Sequence, residues 1–203
     1  MRAALIWTVL AAAIVVPTAL AAMSPYLAYR EAMYIASGFA GIVALGLMLA
    51  QPLLAGGNLP GLPMPVGRRV HRWVGGALII GVVVHVGGLW ITSPPDVIDA
   101  LLFVSPTPFS LWGVIAMWTL FAAAALAALR KPLRIPPRIW RIAHTALAVV
   151  TVAGGVAHAM LVEGTMEWWS KAALCALTVI AMLKVVYDLR AWAGLRARSV
   201  RPR

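Results

Sequence analysis

The chain has 203 residues, of which 63% are hydrophobic and only 11% are charged. A soluble domain of this length would need far more charge to cover its surface, so the bilayer is the better solvent for it. The net charge of +11 does not mark a nucleic-acid partner either, because the basic residues fall in short clusters between apolar runs, which is how membrane topology is encoded.

A spanning helix needs about 20 mostly apolar residues. Six windows qualify, at roughly 3–23, 32–51, 70–91, 110–129, 139–162 and 171–192. The expected fold is an all-α integral membrane protein, a six-transmembrane-helix bundle forming a single domain over residues 1–203. In the first segment Met1-Arg2, an apolar run and Ala19-Leu20-Ala21 can also be read as a signal peptide with a small-residue cleavage site. Its length favours an uncleaved helix; cleavage would leave five helices and would not touch the histidines discussed below.

Loops are expected at Pro52–Pro65 and Ser93–Pro108, where proline and glycine punctuate the sequence. Within the second loop, the apolar stretch from Asp96 to Phe103 is too short to span and suits the interface. Pro136 and Pro137 precede the fifth segment, at positions where a helix tolerates proline. The lone cysteine, Cys175, lies in an apolar run and offers neither an internal disulfide nor a thiolate cluster. A Cys-x-x-Cys-His attachment site and a glycine-rich nucleotide fingerprint are both missing from the sequence.

Charge predicts the orientation. Arg68, Arg69 and Arg72 precede or open the third segment; Arg130, Lys131, Arg134, Arg138 and Arg141 surround the start of the fifth; Arg190, Arg196, Arg198, Arg201 and Arg203 fill the tail. The alternate loops carry Asp96, Asp99, Glu163 and Glu167. The positive-inside rule therefore predicts cytoplasmic N- and C-termini, with the acidic loops facing outward. The expected location is a bacterial inner (plasma) membrane, as a multi-pass integral protein. The acidic groups could attract a cation or a basic partner, but ordinary solvated loop carboxylates explain them better.

The chain contains four histidines, His71 and His85 in the third segment and His144 and His158 in the fifth. Each pair is spaced by 14 residues, close to four whole helical turns, so both members share one helix face. They are separated by about 21 Å along the axis, one towards each side of a hydrocarbon core about 30 Å thick. The two segments start on the same basic side and run parallel. His71 and His144 then share one depth, and His85 and His158 another. Two facing imidazoles at one depth are what a six-coordinate haem iron requires, so these four are the candidate metal ligands. Apart from this doubled spacing no internal repeat is evident.

Small residues lie one turn inward from each histidine, namely Gly75, Gly81, Ala148 and Gly154. They could make room for a macrocycle, or they could be ordinary helix-packing positions. Arg72 and Arg141 lie within a turn of His71 and His144 and are candidate partners for haem propionates, although topology alone would also put them there. Leu78 and Thr151 mark the middle of the histidine-bearing stripes and are the places to look for whatever fills the space between two haems. A single intramembrane histidine can simply hydrogen-bond across helices, but a shared spacing on two parallel helices makes coincidence the weaker account. Zinc is weaker too, since two histidines alone rarely hold it.

Two stretches carry a family resemblance. Arg68-Arg69-Val70-His71-Arg72-Trp73 with fourteen residues to His85, and Arg138-Ile139-Trp140-Arg141-Ile142-Ala143-His144 with fourteen to His158, resemble the ferric reductase-like transmembrane domain. That superfamily includes ferric reductases, NADPH oxidases and the haem-bearing membrane subunit of the periplasmic methionine-sulfoxide reductase system. The resemblance runs from about the second segment to the sixth. It implies six helices and two b-type haems, an inner one on His71 and His144 and an outer one on His85 and His158, passing electrons across the membrane. Ferric reductases and NADPH oxidases continue into a flavin and nicotinamide module, which this sequence lacks. The expectation is therefore an oxidoreductase membrane subunit whose electrons come from a separate redox partner protein or from a quinol, with a bound quinone or flavin left open. The rival readings are a haem-bearing structural subunit and, more weakly, a proton-coupled transporter. The second would need intramembrane acids, for which only Asp188 and Glu163 qualify.

Overall fold

In lipid every backbone N–H and C=O must find its partner within the protein, so apolar runs of this length become helices. The computed structural model describes residues 1–199, with side chains to 188. The helices are α1 (Arg2–Ala22), α2 (Ala32–Ala55), α3 (Met64–Thr92), α4 (Pro94–Leu101), α5 (Pro108–Leu129), α6 (Pro137–Leu161) and α7 (Trp168–Ser199). Among the described residues six of them, all but α4, are long and apolar enough to cross a membrane. The side chains of the tail arginines Arg190, Arg196, Arg198, Arg201 and Arg203 lie outside the described residues.

The expected loops prove shorter. Pro52 lies inside α2 and Pro65 in the first turn of α3, leaving a connection of residues 56–63. Proline removes one helical hydrogen bond, yet membrane helices tolerate it because ending the helix in lipid would free several. Pro17 is accommodated within α1 in the same way. The Ser93–Pro108 stretch contains a true helix, α4, whose prolines Pro94 and Pro95 occupy its first turn. Its Val97 is buried, while Ile98 and Leu102 stay exposed.

The bundle is built from two helical hairpins. The most extensive packing joins α2 to α3 and α5 to α6, and α7 closes against both α2 and α6. The core lies at this last junction, where Leu45, Met48 and Leu49 of α2 meet Val152 of α6 and Leu174, Cys175, Ala181 and Met182 of α7. Cys175 is thus a small buried apolar group, as its surroundings in the sequence suggest. Lys171 is buried and its Nζ donates to the Val162 carbonyl at 2.7 Å, satisfying the free C-terminal end of α6. Against the outside of this frame, α1 packs on α2 and α7 and is tied by Trp7 Nε1 donating to the Pro60 carbonyl.

Of the small residues beside the histidines, Gly81 and Gly154 take the helix-packing role. A Cβ on Gly81 would touch Ala40 and Ala44 of α2, and one on Gly154 would lie 3.0 Å from the Trp112 carbonyl and 3.2 Å from Ala116 of α5. Gly75 points at Gln51 of α2, and Ala148 packs on the core. Gly75, Gly81 and Gly154 thus let each hairpin close on itself, so the space they create is taken by the neighbouring helix. Gly154→Leu is accordingly expected to destabilise the protein by about 1–3 kcal/mol through overpacking. Gly76→Leu should be nearly neutral, because a Cβ there meets nothing within 4 Å. Denaturation midpoints in detergent would check the pair.

Candidate functional site

α3 and α6 present their histidines to each other. The His71 and His144 ring centres are 6.3 Å apart with planes at 76°, and those of His85 and His158 are 6.3 Å apart at 75°. The two pairs have nearly the same geometry and lie at opposite ends of parallel helices. The structure thus brings together the four residues singled out in the sequence, in the expected pairing.

What holds the rings is the backbone of the other helix in each hairpin. Nδ1 of His85 lies 2.8 Å from the Ser37 carbonyl and Nδ1 of His71 lies 3.2 Å from that of Gln51, both on α2. On α5, the Phe109 carbonyl is 2.9 Å from Nδ1 of His158 and the Ala123 carbonyl 3.3 Å from Nδ1 of His144. A carbonyl oxygen can only accept, so Nδ1 is the donor in each bond and Nε2 keeps its lone pair. Four imidazoles are thereby fixed in one tautomer, with the nitrogen suited to bind a metal left available.

Close approach requires missing side chains on the carbonyl-bearing helix. A Cβ on Gly41 would come within 2.9 Å of His85 Nδ1, and one on Gly113 within 2.6 Å of His158 Nδ1. Each glycine lies one turn after the carbonyl that accepts the bond. At the His71 and His144 level alanines, Ala55 and Ala127, hold the equivalent positions, and the bonds are longer. Ser37 is fully buried and its hydroxyl donates to the Met33 carbonyl at 2.7 Å. Gly88 is packed against that hydroxyl so closely that no Cβ would fit.

These contacts reveal a repeat that the sequence reading missed. Ser37, Gly41 and Gln51 in α2 correspond to Phe109, Gly113 and Ala123 in α5, each 72 residues later. His71, Gly81 and His85 in α3 correspond to His144, Gly154 and His158 in α6, each 73 residues later. The hairpins α2–α3 and α5–α6 therefore repeat one arrangement of histidines, glycines and accepting carbonyls. The signal available in the sequence was the pair of glycines, Gly41 and Gly113, offset almost as the histidines are.

The remaining candidates stand differently. Arg72 and Arg141 are exposed at the His71 and His144 end and make no hydrogen bond or ion pair to another described residue. Leu78 and Thr151 are buried. The Thr151 hydroxyl bonds Thr119 of α5 at 3.0 Å and the Leu147 carbonyl at 2.9 Å, which turns it away from the space between α3 and α6. Of the loop acids, Asp96 accepts from the Ser93 hydroxyl, and Glu167 accepts from the Ser170 N–H and so caps the start of α7. Asp188 pairs with Lys184 at 2.6 Å on the surface, far along the chain from any histidine. Among the described residues no three of His, Cys, Asp and Glu gather into a metal cluster.

The fold and the facing imidazole pairs define a class, a multi-pass helical membrane protein with paired intramembrane histidines. Residues 40–155, more than half the chain, match the family described as the ferric reductase like transmembrane component, and the chain belongs to that family. The matched region spans α2 to α6 and includes His71, His85 and His144, with His158 just past its end. No curated protein and no solved structure matches the chain.

A bulky side chain in place of Gly113 should push His158 off its carbonyl. In protein labelled with ¹⁵N at histidine, four Nδ1-protonated imidazoles are expected. Gly113→Val should abolish or shift one of them. Gly38→Val, whose Cβ would meet nothing within 4 Å, should leave all four in place.

Proposed function

We propose that this protein is a transmembrane electron conduit in which His71 and His144 hold an inner b-type haem and His85 and His158 an outer one. The observation that carries the reading is the matched spacing of the two imidazole pairs. Metal–imidazole bonds of about 2 Å, with the ring nitrogen roughly 1.1 Å from the ring centre, put two collinear ring centres about 6.2 Å apart. The 6.3 Å found at both levels agrees with one ion held between each pair. The donor set agrees as well, since each neutral imidazole has its proton committed to a carbonyl and its other nitrogen free. The hairpins pack tightly within themselves, whereas α3 and α6 do not pack closely on each other, which suits a flat group between them.

Haem supplies a one-electron centre at each level, so that an insulating layer about 30 Å thick is crossed in separate hops. The chain's part is to hold the four rings rigidly, exclude water from them and set their surroundings. In this reading Arg72 and Arg141 offer cations to the propionates of the inner haem, and both termini face the cytoplasm. Residues 1–203 act as a single domain, and electrons arrive from a quinol or a soluble reductase and leave on the acidic face. The geometry disfavours a proton-relay transporter, since the histidines hydrogen-bond to backbone carbonyls and not to acids.

A reduced-minus-oxidised absorption spectrum with haem quantified per chain tests this. Two b-type haems are expected, falling to one in His85→Ala and one in His158→Ala. The near-perpendicular ligand planes further predict strongly anisotropic low-spin ferric resonances at both levels. Protein made with ample haem that carries none would overturn the proposal. Two haems that no quinol or soluble reductase can reduce would replace the conduit by a structural subunit.

A further inference from the structure

The two hairpins hold their histidines alike but surround them differently. The residue of α3 that corresponds to Trp140 of α6, 73 positions earlier, is Gly67. There the helix closes directly on its neighbour, and a Cβ on Gly67 would lie 3.1 Å from the Leu54 carbonyl. In α6 the place is filled by an indole that lies parallel to the His144 ring, with centroids 5.3 Å apart and planes at 13°. Over the same indole, 4.5 Å from its centroid, sits the guanidinium of Arg130, at the C-terminal end of α5. Arg130, Trp140 and His144 thus form a chain of stacked groups found in one hairpin and replaced by close packing in the other.

Two details give the stack a purpose. The His144 bond to Ala123 is long, at 3.3 Å against 2.8 and 2.9 Å for His85 and His158. The indole N–H of Trp140 is buried and has no acceptor among the described residues. Buried indoles usually find one. The indole is held instead by contacts over its ring face, to a cation and to an imidazole.

Resting on the haem reading above, we propose that Trp140 is a positioning residue of the inner centre: it fixes the plane of the His144 ring, and Arg130 clamps it there. An axial imidazole's plane sets its overlap with the metal, and a cation held behind it favours the reduced form, so the stack would distinguish the inner centre from the outer one.

The test is electron paramagnetic resonance and redox titration of the whole protein with haem bound. With two haems retained, Trp140→Leu should move one of the two low-spin signals and leave the other unchanged, while Trp140→Phe, which keeps a stacking face, should restore it. Arg130→Gln should shift the reduction equilibrium of one centre about threefold towards the oxidised form, and Arg130→Lys much less. If Trp140→Leu loses its haem, the Arg130 variants carry the test, since that side chain is half-exposed. Two bound haems whose signals and potentials ignore these substitutions, or move together, would overturn this inference and leave the proposed function standing. An unaltered protein that binds no haem would overturn both.

Discussion

Four hydrogen bonds from imidazole to backbone carbonyl organise this molecule. An imidazole inside a hydrocarbon layer has two nitrogens to satisfy, and a carbonyl already engaged in a helix still has a second lone pair to offer. The carbonyls of Ser37, Gln51, Phe109 and Ala123 accept from the four histidines in this way. Each such bond crosses from one helix of a hairpin to the other, so holding the ring and closing the hairpin are one event. The glycines follow from it. Gly41 and Gly113 clear the approach to the His85 and His158 rings, and Gly81 and Gly154 bring the helices near enough for the bonds to form.

Because the acceptors are main-chain atoms, the arrangement places little demand on side-chain identity at those sites. A serine in one hairpin and a phenylalanine in the other present the same carbonyl. That freedom lets two copies of one structural unit diverge elsewhere. The first hairpin is aliphatic at its midpoint, with Leu78. The second carries the Thr119–Thr151 hydroxyl pair there, Phe109 edge-on to His158 and Trp140 stacked on His144. Quasi-equivalent scaffolding with unlike surroundings thus places Trp140 beside the His71–His144 pair and Phe109 beside the His85–His158 pair.

Membership in the ferric reductase like transmembrane component family accords with this plan, since the matched residues 40–155 span both hairpins and leave α1 and α7 outside. Those two helices do different work. Through Leu174, Cys175 and Met182, α7 joins the hairpins into one core, and its Lys171 satisfies the end of α6. Most of the α1 surface remains exposed.

Much of this was legible in the residues themselves. Apolar run length specifies the spanning helices, because lipid leaves a backbone of that composition no alternative to helix. The 14-residue spacing put His71 level with His144 and His85 level with His158, because helical periodicity and parallel direction are local properties of the chain. Other features were not legible. Pro52 looked like a loop boundary but continues a helix, since the cost of ending α2 in lipid depends on what surrounds it. Gly81 and Gly154 were open to two readings until their neighbours on α2 and α5 were known. The repeat between hairpins was only partly legible, because beyond the histidines and the glycines Gly41 and Gly113 its shared element is a set of accepting carbonyls, which no residue letter records. The sequence by itself determined the helices, their direction and the levels of the histidines. Only the tertiary structure decided which face of each helix meets which neighbour, and with it the tautomer of every imidazole and the stack on His144, because those depend on contacts between segments far apart in the chain.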